Sequence, residues 1–112
     1  MPVYVIVWQF QVAAEYEEAF EKAYGPGGDW ARLFGRSSDF QGTELLRAVL
    51  EDQDPAVSEQ VARDYFTIDR WTSRDAYVAF NDRFAREYEE LDHRFLELCQ
   101  VEVCLGKFEV VE

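Results

Sequence analysis

The sequence has little positive charge. Its 112 residues include 11 Lys and Arg against 23 Asp and Glu, which gives a formal net charge of −12. Proteins that bind nucleic acids neutralise phosphates with Lys and Arg, so this balance argues against a nucleic-acid partner. Docking on an anionic membrane surface is disfavoured for the same reason.

Histidine, a common metal ligand, is represented only by His93. Glu89, His93 and Glu97 share one helical stripe and could be drawn as a metal site. One imidazole with flexible carboxylates is a poor ligand set, however, so we interpret the stripe as a solvated face. The same scarcity argues against haem degradation, which needs an axial ligand. We therefore expect neither a metal nor a cofactor.

Cysteines are few and long apolar runs are missing. If Cys99 and Cys104 lie on one strand, their side chains point to opposite faces and cannot form a disulfide. We expect reduced core thiols in a cytoplasmic protein. No run of about 18 apolar residues could span a bilayer, and Met1-Pro2-Val3 shows no feature of a secretory signal.

Aromatic side chains, in contrast, are abundant. Nine Phe, six Tyr and three Trp make up 16% of the chain. Such a set indicates a core rich in flat surfaces, a self-association face, a pocket for a flat ligand, or a mixture of these. The length is that of one domain, which we assign to residues 1–112.

The spacing of apolar residues predicts alternating strands and helices. β-Branched and aromatic runs predict strands over 3–11, 40–50, 64–71 and 101–111. Apolar residues three and four apart predict helices over 13–24 and 30–34. The same spacing from 77 to 98 predicts one long helix, or two joined by a kink near 86–90. Residues 51–62 are polar and predict a long connection, with a possible helical turn at 57–61.

This order of elements is β-α-β-β-α-β. It predicts an α+β, ferredoxin-like (split βαβ) fold, in which helices cover one face of a four-stranded antiparallel sheet. The first strand is apolar on both faces, since Val3, Val5 and Val7 alternate with Tyr4 and Ile6. The uncovered face needs a partner, and a second copy related by a two-fold axis is the simplest one. We therefore expect a homodimer formed through the sheet face.

With this architecture, four segments resemble the antibiotic biosynthesis monooxygenase family of the dimeric α/β-barrel superfamily. They are Val3-Tyr-Val-Ile-Val-Trp, Gly27-Gly-Asp-Trp-Ala-Arg-Leu-Phe34, Gly42-Thr-Glu-Leu-Leu-Arg47 and Tyr65-Phe-Thr-Ile-Asp-Arg-Trp-Thr-Ser-Arg-Asp-Ala-Tyr77. The resemblance covers nearly the whole chain. It implies oxidation of aromatic compounds by O₂ without metal or flavin, although the family also contains haem-degrading enzymes and small proteins of unknown role.

The resemblance also implies a pocket between the sheet and the helices. Trp71 and Tyr77, where a strand meets a helix, resemble family pocket positions and are our candidate catalytic residues. The candidate substrate-binding residues are Trp8, Trp30, Phe34, Phe80, Phe84 and Tyr88. We expect Thr67 where oxygenating relatives have an Asn. The alternative interpretation is that aromatics at helical spacing only fill the core.

Four charged residues on predicted strands have two interpretations. Cross-strand pairs Glu44–Arg70 or Arg47–Asp69 would make them structural. Alternatively, an Arg could steady an enolate or phenolate.

Three hypotheses for function remain. The first is a cofactor-independent monooxygenase acting on a small aromatic or quinone-type compound. The second is a dimer that binds a small hydrophobic metabolite without turning it over, and the third is a purely structural dimer. A polar proton acceptor facing the aromatic side chains favours the enzyme, whereas a free volume below about 300 Å³ argues against a drug-sized ligand.

Overall fold

A single four-stranded antiparallel sheet forms the framework of the protein. The structure, a computed structural model, describes residues 2–49 and 62–112. The sheet has the order β2-β3-β1-β4, and its strands are β1 (Tyr4–Val12), β2 (Phe40–Arg47), β3 (Arg63–Trp71) and β4 (Val101–Glu109). This order confirms the predicted ferredoxin-like α+β fold. The predicted polar connection, with its helical turn at 57–61, lies outside the described residues except for Ala62.

The helices confirm the predicted order but differ in their limits. They are α1 (Glu17–Tyr24), α2 (Asp29–Phe34), α3 (Arg74–Arg83) and α4 (Ala85–Arg94), with 3-10 turns at Ala14–Tyr16 and Leu96–Leu98. The long apolar series therefore belongs to two helices. They are joined at Phe84, where φ is −112° and ψ is 24°, so the predicted kink near 86–90 is placed too late. None of the described helices is long and apolar enough to cross a membrane.

Helices cover one face of the sheet, called here the inner face. Alternation along β1 and β3 places large side chains there, and Ile6, Phe10, Tyr65 and Trp71 are buried. The rings of Phe20 and Tyr24 on α1 pack over Phe10 and Tyr65. The core is therefore built largely from aromatic contacts between the sheet and the helices.

The opposite, outer face of the sheet is apolar and uncovered in the single chain. Val103 on β4 is 44% exposed and Phe108 is 51% exposed, whereas Val5 on β1 is half-buried. A bulge puts Phe108 on this face: Val7 pairs with Gly106 and Trp8 with Cys104, which leaves Leu105 as an extra residue. Regular alternation along the predicted strand over 101–111 would place Phe108 and Cys104 on one face, and that expectation is wrong because the extra residue reverses the alternation.

The same strand corrects the expectation for the cysteines. Cys99 precedes β4 and is half-buried, whereas Cys104 lies within β4 and is exposed. Both are free thiols, as expected, but they do not share a strand and Cys104 is not a core residue of the single chain.

Two glycines, Gly42 and Gly28, determine the path of the backbone near the candidate site described below. Gly42 has φ of 121° at a bulge, where the register between β2 and β3 shifts. Gly28 is the N-cap residue of α2, and Asp29 follows it in the first turn, where it pairs with Arg32 at 3.3 Å. Ser73 caps α3 by accepting a hydrogen bond from the backbone N–H of Ala76 at 3.1 Å.

Candidate active site

A pocket lies between the inner face of the sheet and helices α1, α2 and α4. Alternation along the strands directs side chains from all four strands into it, and the helices close it with aromatic rings. Its lining residues are Trp8, Phe10, Tyr24, Trp30, Phe34, Thr43, Thr67, Asp69, Tyr88 and Glu102. Six of these ten side chains are aromatic and one is a buried carboxyl group.

The carboxyl group of Asp69 is the most unusual feature of this lining. Asp69 is only 7% exposed. The Thr43 hydroxyl donates a hydrogen bond to its Oδ1 at 2.5 Å. Burial raises the pKa of Asp69 from 3.8 to about 6, against the smaller lowering effect of that hydrogen bond.

The predicted Arg47–Asp69 pair is wrong. The register places Thr43 opposite Asp69 and Arg47 opposite Tyr65. Arg47 therefore reaches α1, where its Nη1 donates to Glu21 Oε2 at 2.9 Å. The alternative pair, Glu44 with Arg70, is confirmed. Asp69 alternates with Tyr65 and Trp71 along β3, and this pattern in the sequence was the available signal for a buried carboxyl group.

The other titratable groups of the pocket are two tyrosines and a glutamate. Burial raises the pKa of Tyr24 and of Tyr88 above the usual tyrosine value, so both hydroxyls stay protonated at neutral pH. Burial, with a smaller contribution from Asp92, raises the pKa of Glu102. No Lys, Arg or His lines the pocket in the described part of the chain. The site is thus suited to a neutral ligand.

Hydrogen-bond donors also face or adjoin the pocket. The buried Nε1 atoms of Trp30 and Trp71 have no acceptor at full hydrogen-bonding geometry among the described residues, although the Trp30 N–H is close enough to the Tyr24 hydroxyl to oppose the rise of its pKa. Unpaired buried N–H groups are costly to the fold, and ordered water or a ligand can supply the missing acceptor.

The free space is small. The pocket measures about 30 Å³, which holds one or two water molecules. An adjoining pocket of about 170 Å³ is bounded by the 3-10 turn and the start of β4, and the two share Tyr24 and Glu102. Neither volume reaches the roughly 300 Å³ of a drug-sized site, so a polycyclic ligand does not fit without side-chain movement. About 150 Å³ accommodates a single benzene ring.

The predicted site residues fall into two groups. Trp8, Trp30, Phe34 and Tyr88 line the pocket. The other four form an aromatic cluster beside it, which consists of Trp71, Tyr77, Phe80 and Phe84, with successive ring centroids 4.9–5.6 Å apart.

Phe34 separates that cluster from the pocket. Its ring centroid lies 5.8 Å from Trp71 and 5.5 Å from Phe80. Thr67, expected at the place of the family Asn, is buried and lines the pocket.

Glu89, His93 and Glu97, considered above as a metal site, do not lie on one helix. Glu89 and His93 are exposed on α4, but that helix ends at Arg94 and Glu97 lies in the following 3-10 turn. Within residues 2–49 and 62–112, no three His, Cys, Asp or Glu side chains are grouped to hold a metal ion.

Comparison with known proteins identifies similar structures only. No protein-family model matches the sequence, and no curated protein matches it. SnoaB, a cofactor-independent oxygenase from Streptomyces nogalater, shares 23% identity with a TM-score of 0.65 over 100% of this chain and 96% of that chain. A Bacillus cereus protein named provisionally as an antibiotic biosynthesis monooxygenase has 11% identity and a TM-score of 0.68 over 100% and 96% of the two chains.

The fold is not restricted to oxygenases. A hydroxynitrile lyase from Passiflora edulis has 12% identity and a TM-score of 0.60 over 99% of this chain and 95% of that chain. Similar structures from Bacteroides fragilis and Thermobifida fusca are described as dimeric ferredoxin-like proteins of unknown function. The identities are low, so these likenesses show the fold alone. At that level they confirm the resemblance to the antibiotic biosynthesis monooxygenases.

Proposed function

We propose that the protein is a cofactor-independent monooxygenase that uses O₂ to oxidise a small aromatic or quinone-type compound. The observation that carries the proposal is the aromatic pocket between sheet and helices, in which the buried carboxyl group of Asp69 lies among the rings. The fold is that of SnoaB, which is named a cofactor-independent oxygenase. A flat, neutral ligand would stack on these rings and displace little ordered water.

The proposed reaction needs only the substrate and O₂. A naphthol, for example, loses its hydroxyl proton and one ring C–H proton, gains one oxygen atom from O₂ and becomes a quinone. The second oxygen atom leaves with the two protons as water. The substrate itself supplies the four electrons, so atoms and electrons balance without another reductant.

We assign the substrate contacts to Trp8, Trp30, Phe34 and Tyr88, with Phe80 and Phe84 supporting them. Trp71 and Tyr77 remain our candidate catalytic pair. The Trp71 indole N–H is buried without an acceptor among the described residues, so it is available to a substrate oxygen if Phe34 swings aside. The Tyr77 ring packs on Trp71 with a centroid distance of 5.6 Å, and its hydroxyl would exchange a proton with that oxygen.

We also propose that the protein acts as a homodimer formed through the outer face and that it resides in the cytoplasm. The exposed apolar side chains of that face support the dimer, as do similar structures described as dimeric. Two free thiols support a reducing compartment.

The test is O₂ consumption with a panel of hydroquinones, naphthols and anthrones, after dialysis against a chelator and without added flavin. Trp71→Phe and Tyr77→Phe should each lower kcat/KM by about 10–10³-fold, because each removes one donor or proton carrier. Tyr16→Phe, at an exposed position before α1, should leave the rate unchanged. If neither core substitution changes a measurable rate, the proposed pair is wrong.

The alternative is a protein that binds a small hydrophobic compound without chemistry. The free volumes of about 30 and 170 Å³ limit such a compound to about the size of a single ring. Binding of a small aromatic compound, detected by calorimetry, without O₂ consumption by any compound of the panel would establish this alternative.

A further inference from the structure

Asp69 is a buried carboxyl group without a cationic partner in the described chain. Its hydrogen bond comes from the neutral Thr43 hydroxyl. Arg70, the next residue on β3, pairs with Glu44, and Arg47, the arginine on the neighbouring strand β2, pairs with Glu21. Burying an unpaired carboxylate is costly to the folded state, and an Asn could accept the same hydrogen bond without that cost. A purely structural role therefore does not account for an acid at this position.

The surroundings of Asp69 are those of a proton acceptor. It lines the pocket with Trp8, Trp30 and Thr67. A ring that stacks there, after side chains move to enlarge the space of about 30 Å³, would lie beside its carboxyl oxygens. The titratable groups facing it are Tyr24 of α1, Tyr88 of α4 and Glu102 of β4, while Thr43 of β2 is neutral. Both tyrosines are held in the protonated form by burial. They can donate to an anion formed in the pocket but cannot accept the first proton.

We propose that Asp69 is the general base of this site and that its substrates are uncharged phenols, which arrive protonated and are ionised inside the pocket. The inference rests on the proposed function and deepens it by naming the substrate class. In the step, the phenol O–H bond breaks and its electron pair stays on the phenol oxygen. The proton moves to an Asp69 carboxylate oxygen, so the net charge of the complex is unchanged.

The resulting phenolate is the electron-rich species that reacts with O₂. The site offers it neutral donors, namely the Trp30 Nε1–H and the Tyr24 and Tyr88 hydroxyls, in a space that excludes most water. A compound that already carries a carboxylate should be rejected. Asp69 and Glu102 line the pocket and Asp92 lines the adjoining one, so their charges repel a second anion on the way in.

The first experiment tests which protonation state of a phenol binds and does not require turnover. 4-Nitrophenol is titrated with the protein as purified at a series of pH values, and the absorbance of nitrophenolate reports the charge of the bound phenol. Wild type should bind the protonated phenol, and its affinity should fall as the pH rises through the pKa of nitrophenol, because the ionised Asp69 repels nitrophenolate. Asp69→Asn should bind nitrophenol and nitrophenolate with affinities within about 10-fold of each other. Asp82→Asn, the same change at an exposed site on α3, should behave as wild type.

The second experiment is the pH dependence of kcat/KM for O₂ consumption with a naphthol. The base acts only when ionised, so the wild-type rate should rise with pH through about 6 and then level off. Asp69→Asn should lose about 10²–10⁴-fold in kcat/KM and lose that midpoint.

The two measurements distinguish a failure of the proposed general base from a failure of the proposed oxygenase function. A preference of wild type for the protonated phenol that is lost in Asp69→Asn, without O₂ consumption by any compound of the panel, would support the base and overturn the oxygenase. O₂ consumption with an unchanged pH midpoint in Asp69→Asn would overturn the base alone. Equal affinity of wild type for nitrophenol and nitrophenolate, or no binding of any phenol, would overturn the base and the substrate class.

Discussion

A single buried carboxyl group couples the candidate chemistry of this protein to its stability. The pKa of Asp69 is about 6 in the folded chain against an ordinary value of 3.8. The folded state therefore holds this proton more tightly than the unfolded state. Its contribution to stability is complete below about pH 4 and is lost as the pH rises through about 6. At neutral pH the ionised group opposes folding, which is the kind of cost that functional groups impose on a fold.

Asp69→Asn is therefore expected to raise the free energy of unfolding at pH 7 by about 2–3 kcal/mol, since one pKa unit corresponds to about 1.4 kcal/mol. Urea denaturation at a series of pH values between 4 and 7 measures this. The difference between variant and wild type should grow with pH over that range. An exposed change, Asp82→Asn, provides the baseline. A wild-type protein that gains stability relative to Asp69→Asn as the pH rises would contradict the assigned burial.

At the scale of an element, the short helix α2 depends on the glycine that precedes it. A Cβ atom on Gly28 would lie 2.4 Å from the carbonyl oxygens of Lys22 and Ala23, which belong to the backbone of α1 and cannot turn away. The same atom on the neighbouring Gly27 would meet nothing within 4 Å. This close approach holds α2 against α1, and α2 carries the pocket residues Trp30 and Phe34.

Gly28→Ala should destabilise the protein by about 1–3 kcal/mol because backbone must shift to accept the methyl group. Gly27→Ala should change stability by no more than about 0.5 kcal/mol. Thermal or urea unfolding followed by tryptophan fluorescence tests both variants, and displacement of α2 should also alter the emission of Trp30. Equal stability of the two variants would show that the α1–α2 contact is not as close as described.

The helices and strands also show which structural features a local sequence pattern can predict. Period-two alternation in β1 and β3 indicated which residues share a face, and the structure buries one face of each strand more than the other. The break at Phe84 was placed too late because no Gly or Pro marks it, whereas the bulge at Leu105 has a signal in the adjacent Gly106, which pairs with Val7. At Phe84 the ring packs on Phe80, 4.9 Å away, and the break leaves that contact intact.

At the scale of the whole molecule, the outer face of the sheet is the main apolar surface that the single chain leaves uncovered. Its apolar side chains come from all four strands; Leu46, Val103 and Phe108 are 44–51% exposed. Contiguous apolar surface of this kind marks an association site in water-soluble proteins. A second copy would bury it symmetrically, with the same face on both subunits.

Val103→Asp should therefore convert a dimer to a monomer, because it would place two unpaired carboxylates in a buried, symmetric contact. Val78→Asp, on α3 and 37% exposed, is the matched control and should leave the dimer intact. Sedimentation velocity at micromolar concentration distinguishes the species. Wild-type protein that sediments as a single monomeric species would contradict the proposed dimer.

The sequence by itself determined the strands, the order of elements, the two-sided apolar character of the sheet and the aromatic side chains that build the core. These properties follow from periodicity and composition, which act over a few residues. Only the tertiary structure decided that Thr43, rather than Arg47, meets Asp69, that four of the eight predicted aromatics line the pocket, and that the free space is small. Those outcomes depend on strand register and on how helices from distant segments pack, because side chains that are far apart in the chain meet only after these long-range contacts form.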